Sequence, residues 1–96
     1  MARKIINILG HDYKVTKVPQ KRLGEGVIGL CIFESKQILL LNSLTGELLY
    51  RTLLHELRHA FQYESGFTQL LHPQSQEIDC EQFASFIVSL KRQRIV

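Results

Sequence analysis

Two histidines four residues apart enclose a glutamate in the stretch His55-Glu56-Leu57-Arg58-His59. Residues at i and i+4 of a helix sit one above the other, so both imidazoles can offer a nitrogen to one ion. Glu56 follows the first histidine by one position and so points about 100° round the helix axis, toward the edge of that face. A carboxylate there can contact a metal-bound water without itself ligating the metal. The chemistry such a set performs is hydrolysis assisted by one Zn2+ per chain. The ion acidifies its water and polarises a carbonyl, and the carboxylate takes the proton.

Two histidines leave a catalytic zinc one protein ligand short. Three side chains are candidates for the third position. Glu77 and Glu81 are four residues apart and share a face of a second helix, while His72 lies in the segment before that helix. A third histidine six residues after His59 is excluded, because position 65 is serine. That rules out the metzincin pattern and the three-histidine pattern of a known endoribonuclease family. The reading is Glu77 as ligand, with Glu81 one turn along accepting an N–H from a metal-bound histidine. Glu81 and His72 are the alternatives for the third ligand.

The elements that must position these residues can be read from periodicity. Thr45 is an N-cap residue type, Glu47 places a carboxylate in the first turn, and Gly66 suits a C-cap. Between them Leu49, Leu53, Leu57, Ala60 and Phe61 recur at helical spacing. His55 and His59 lie off that stripe, so the stripe can pack on a sheet while the histidines face a cleft. A second helix is predicted from about Gln76 to Gln93, with Ser75 as its cap and Cys80, Phe83, Ile87 and Leu90 on one face. Cys80 is read there as core, pointing away from the metal.

Upstream the period is two. Ile5–Leu9 and Tyr13–Val18, joined by Gly10-His11-Asp12, read as a hairpin. Pro19 to Gly26 reads as loop, Val27–Phe33 as a third strand and Gln37–Leu41 as a fourth, with Glu34-Ser35-Lys36 turning the chain between them. Four strands followed by two helices make an α+β layer arrangement, a small antiparallel or mixed sheet in one domain over residues 1–96.

Composition fits that frame. Hydrophobic residues make up 45% and charged residues 22% of 96 residues, which places the chain among globular rather than disordered or fibrous proteins. No apolar run approaches the ~18 residues that a membrane span needs, so no membrane role is expected. The start, Met1-Ala2-Arg3-Lys4-Ile5-Ile6-Asn7, is basic, but its apolar stretch is too short for a secretory signal. Cys31 and Cys80 make no disulfide framework, and the expectation is a cytoplasmic protein with reduced thiols. The net charge is +3, with basic residues concentrated toward both ends. No aromatic-interleaved motif accompanies them, which argues against nucleic acid as the partner. Gly24, Gly26 and Gly29 lack the spacing and the following Lys-Ser/Thr of a phosphate loop, and no serine sits in an elbow motif. Tyr13, Tyr50, Tyr63 and His11 are candidate oxyanion donors, and packing roles suit each of them better.

The stretch Thr52-Leu53-Leu54-His55-Glu56-Leu57-Arg58-His59-Ala60 resembles the metal-binding helix of zincin peptidases whose third ligand is glutamate. Glu77-Ile78-Asp79-Cys80-Glu81-Gln82-Phe83-Ala84 is similar to the Glu-x-x-Ala-Asn/Asp-x-Phe-Ala segment of the ImmA/IrrE-type metallopeptidases. The resemblance covers roughly residues 27 to 90. It implies zinc ligands at His55, His59 and Glu77, a general base at Glu56, and a protein or peptide substrate, with a regulatory protein the expected target. It also implies that Gln37–Leu41 or its neighbour holds an extended substrate by main-chain pairing. Small phage and mobile-element proteins of this class share the layout. Two positions depart from the family pattern: its Ala is Cys80 here, and its Asn/Asp is Glu81. The rival functions are a zinc-binding regulatory protein that keeps the site but cleaves nothing, and a basic nucleic-acid-binding domain.

Overall fold

In a computed structural model that describes residues 3–95, the alternating and helical patterns resolve into one mixed sheet with helices on it. Met1 and Ala2, the first two residues of the basic start, and Val96 lie outside the described residues. The elements are β1 (Arg3–Ile8), β2 (His11–Val18), the one-turn α1 (Gln20–Leu23), β3 (Gly29–Ile32), β4 (Gln37–Leu41), α2 (Gly46–Ser65), a 3-10 turn (Phe67–Gln69) and α3 (Pro73–Arg92). This is an α+β fold.

The sheet order is β1-β2-β4-β3. β1 and β2 form an antiparallel hairpin with Ile8 opposite His11. Its turn is Leu9-Gly10, both at positive φ (50° and 92°), one residue earlier than the Gly10-His11-Asp12 predicted. Asn7 fixes it: its Oδ1 accepts from the Gly10 N–H at 3.0 Å and its Nδ2 donates to Asp12 at 2.8 Å. β2 then pairs parallel with β4, Val15 opposite Ile38, while β3 pairs antiparallel with β4, Gly29 opposite Leu40. A parallel pair needs a crossover, and here α1 and β3 supply it. β4 is therefore interior and β3 is an outer strand. Of the two strands considered for holding a substrate, Gln37–Leu41 is already paired on both sides, and its neighbour has the free edge.

Alternation in β2 and β4 sends Tyr13, Val15, Ile38 and Leu40 to one face, where they pack with Ala60, Leu49, Leu53 and Leu57 of α2. The predicted helical stripe is thus the surface that meets the sheet. Val18 and Leu39 face the other way and are covered by Leu23 of α1, so the stretch read as loop from Pro19 to Gly26 contains one helical turn with a packing task. α2 ends at Gly66 in the left-handed conformation (φ 86°), which glycine adopts without a Cβ clash. Thr45 is the N-cap, but its side chain makes no capping bond.

α3 starts at Pro73 rather than Gln76. Proline at the first helical position has its φ already set and needs no N–H, and His72, rather than Ser75, caps: its Nδ1 accepts from the Gln74 N–H at 3.1 Å. The helix lies antiparallel against α2. Arg92 binds Glu47 at 2.9 Å, Arg51 binds Ser85 at 2.8 Å and Arg58 binds Asp79 at 2.8 Å, so early residues of one helix meet late residues of the other. Cys80, Ala84 and Val88 form the buried seam of α3, packed toward Leu54 in the case of Ala84 and Val88. Small side chains at i, i+4 and i+8 let the two helix backbones approach closely.

Candidate metal centre

Close approach of α2 and α3 brings the sequence-predicted residues together. His55 Nε2 lies 3.1 Å from Glu77 Oε1, and His59 Nε2 lies 2.7 Å from Glu77 Oε2. One carboxylate thus spans the inner nitrogens of both imidazoles. On its other side His55 presents Nδ1 to Glu81 Oε1 at 2.7 Å. The two ring centroids are 4.9 Å apart with the planes at 66°. Glu77 therefore stands where a third ligand would stand, and Glu81 stands where an acceptor for a ligand's second N–H would stand. His72 is exposed and engaged in capping α3, and no contact among the described residues ties it to His55 or His59.

Glu56 is the buried member of the group, 8% exposed. Burial pushes its carboxyl up to about 7, with Glu77 and Glu81 adding to the rise and His55 opposing it. Among the described residues it makes no side-chain hydrogen bond. It is held instead by close packing on β3, where Gly29 leaves room for nothing larger. A Cβ at that position would stand 2.8 Å from Thr52 Cγ2 and 3.0 Å from Glu56 Oε2. Thr52 is itself fixed, its hydroxyl donating to the Leu48 carbonyl at 2.7 Å. Gly29 does not fit a phosphate loop; a glycine inside a strand is instead the signal for close backbone approach.

Shallow clefts open on both sides of Glu56. One is lined by Ile28, Gly29, Leu48, Arg51 and Thr52, the other by Gly29, Leu30, Cys31, Phe33 and Gln76. β3 runs past both, with the histidines and Glu77 on the opposite wall.

A second missed residue is Gln62, fully buried one turn beyond His59. Its Nε2 donates to Asp79 at 2.8 Å and to the Gln76 carbonyl at 3.1 Å, while its Oε1 has no donor among the described residues. Burial depresses the pKa of the neighbouring His59 imidazole, and the Glu77 carboxylate works in the opposite direction.

Cys80 is where the sequence reading needs correction. It is core, as read, with no exposed surface. It does not point away from the site: its Sγ and one nitrogen each of His55 and His59 all lie within 4.8 Å of one another. The helical wheel placed Cys80 with Phe83 and Ile87, but that face of α3 is the one that meets α2. Burial raises its thiol to about 12, as it does for Cys31, which sits on β3 facing the sheet core.

The residues present suit a divalent cation. A neutral imidazole carries one N–H, yet both nitrogens of His55 face carboxylate oxygens, and His59 faces one of the same carboxylates. Glu56, Glu77 and Glu81 together bring three carboxyl groups to two histidines, with Arg51 3.8 Å from Glu81. A cation held by the two Nε2 atoms would meet the Glu77 carboxylate that already faces both.

The tyrosines and His11 are occupied elsewhere. Tyr13 donates to Glu64 at 2.6 Å, and His11 lies 3.3 Å from the same carboxylate. Tyr63 stacks on Phe33 with ring centroids 4.4 Å apart, and Lys91 lies over Tyr50. Among the described helices none is long and apolar enough to cross a membrane. No known protein family, no curated protein sequence and no solved structure matches the chain.

Proposed function

We propose that this chain is a minimal zinc-dependent peptidase of the glutamate-ligand zincin kind, hydrolysing a peptide bond of a protein substrate. The observation that carries the reading is Glu77 spanning the Nε2 atoms of both motif histidines while Glu56 sits buried beside them on the edge strand. His55, His59 and Glu77 would hold the ion. Bound zinc would acidify a water and polarise the scissile carbonyl. Glu56 would accept the proton of that water and pass it to the leaving amine; a carboxyl raised to about 7 is suited to doing both near neutral pH. Glu81 fixes the ring of His55 through Nδ1. β3, an outer strand beside Glu56, offers main-chain groups to an extended peptide.

A second reading has one observation in its favour. Cys80 close to both histidines gives the site the donors of a closed, four-ligand centre, which would serve a partner-binding protein rather than a hydrolase.

Zinc content of the purified protein by elemental analysis is the first test, beside His55→Ala, Glu77→Ala and Glu56→Gln variants. The peptidase reading expects about one zinc per chain, lost in His55→Ala, weakened in Glu77→Ala and kept in Glu56→Gln with cleavage lowered by at least about 100-fold. Zinc retained and function unchanged in Glu56→Gln would favour the binding role. Absence of zinc after reconstitution would leave a small basic binding domain as the better account.

A further inference from the structure

The buried thiol of Cys80 faces two imidazoles: its Sγ and one nitrogen each of His55 and His59 lie within 4.8 Å of one another. A zinc ion holds nitrogen at about 2.0–2.1 Å and thiolate sulfur at about 2.3 Å, so two such donors on a tetrahedral ion lie about 3.6 Å apart. Donor atoms of His55, His59 and Cys80 already fall within 4.8 Å of one another, so a contraction of at most about 1.2 Å brings sulfur and nitrogen to that spacing. Cys80 also stands three residues after Glu77 on α3, and an i, i+3 pair on one helix can serve a single ion. Cys80 is buried in one row with Ala84 and Val88, which pack against Leu54 of α2, so the thiol sits on a short arm in a packed seam.

We propose that Cys80 is a fourth protein donor to the metal held by His55, His59 and Glu77. This rests on the metal-binding part of the proposed function. Binding forms a metal–sulfur bond and releases the thiol proton to solvent. The resulting His-His-Glu-Cys set is closed, and the position that a catalytic water needs becomes available only when Cys80 or the exposed Glu77 withdraws. The site then has a resting, thiolate-bound form that a peptidase with alanine at this position would lack.

The test is cobalt substitution of the metal-free protein in reducing buffer, followed by absorption spectroscopy. Visible d–d bands report a tetrahedral site, and a near-ultraviolet sulfur-to-cobalt band reports a bound thiolate. Cys31→Ala leaves Cys80 as the sole thiol. The proposal expects the sulfur band in wild type and in Cys31→Ala, and its loss in Cys80→Ala with the d–d bands retained. Zinc affinity in Cys80→Ala should fall at least about tenfold, the lower end of what losing even a supporting hydrogen-bond partner costs. Visible d–d bands without a sulfur band in Cys31→Ala would overturn the role of Cys80 and leave the zinc site standing. A chain that gives neither band on adding cobalt would overturn both. Should Cys80→Ala fail to fold, the Cys31→Ala spectrum alone decides.

Discussion

Adding one methyl group at Gly29 should expose how tightly the helix carrying the motif is held against the edge strand. The new Cβ would stand 2.8 Å from Thr52 Cγ2, 3.0 Å from Glu56 Oε2 and 3.2 Å from Glu56 Cγ. Ordinary contact begins at about 3.5 Å between carbons, so the methyl intrudes by more than half an ångström. Thr52 cannot easily turn aside, because its χ1 is stiff and its hydroxyl is bonded to the Leu48 carbonyl. α2 must therefore lift from β3, or Glu56 must swing outward. Overpacking of this kind costs about 1–3 kcal/mol, which is about a 5- to 150-fold fall in the folding equilibrium constant. Urea unfolding of Gly29→Ala measures it. A double-mutant cycle with Thr52→Ser gives the mechanism, since serine removes only the methyl that collides and keeps the hydroxyl bond. The two changes should couple by about 0.5 kcal/mol or more, the double variant recovering part of the loss. Strict additivity, or a Gly29→Ala protein as stable as wild type, would refute the claim that close packing at Gly29 positions Glu56.

Three further outcomes follow from the contacts around the centre. Glu81→Ala should weaken zinc binding by about 10- to 100-fold by freeing the Nδ1 side of His55, and Glu81→Gln, which keeps an acceptor, should recover part of it in a calorimetric titration. Gln62→Leu should weaken zinc binding through His59, and it should also destabilise the fold by about 1–3 kcal/mol, because Asp79 and the Gln76 carbonyl lose a buried donor; unchanged zinc affinity would remove Gln62 from the site. At Glu64, burial pushes the carboxyl up, but hydrogen bonds from Lys36 and Tyr13 and the nearby His11 outweigh it and hold it below its ordinary value of 4.5. A group lowered in the fold contributes stability that is fully present above its unfolded pKa and fades as pH falls through its folded one. Glu64→Gln should therefore lower the urea midpoint at pH 7 and converge with wild type in strong acid; an equal deficit at both pH values would count against the pairing.

Much of the arrangement was legible because single residues carry strong local rules. The Leu49-Leu53-Leu57 stripe fixed which face of α2 meets the sheet, and with it the outward placement of His55 and His59. Gln37–Leu41 was found to the residue, since a continuous apolar run between turns is the mark of an interior strand. Which of that strand and its neighbour has the outer edge could not be read, because strand order is a long-range property that no window of sequence contains; it is β3. The start of α3 was missed by three positions, from Gln76 to Pro73. Proline was weighed there as part of a connection, whereas at a first helical turn it is a favoured residue. Gln62 and Gly29 escaped because their roles exist only once α3 and β3 are in place beside α2.

The third ligand shows why spacing alone could not choose. Glu77 and Glu81 are four residues apart, so sliding α3 along α2 by about 6 Å would put Glu81 where Glu77 now stands and carry Cys80 away from the histidines. What prevents the slide is a row of pairings at fixed heights: Arg92 on Glu47, Arg51 on Ser85, Arg58 on Asp79 and Gln62 on Asp79. Exposed pairs such as Glu47–Arg92 contribute little energy, but a slipped helix would break all of them at once and leave the buried Gln62 amide without acceptors. Arg58 and Asp79 lie inside the two motif segments, three residues after His55 and two after Glu77, so the pair that sets the register is built into the motif itself. Reversing it by exchanging the two charges, Arg58→Asp with Asp79→Arg, should restore zinc binding that either single change weakens. If both single variants bound zinc as wild type does, the donor set would have to be fixed by the apolar seam alone.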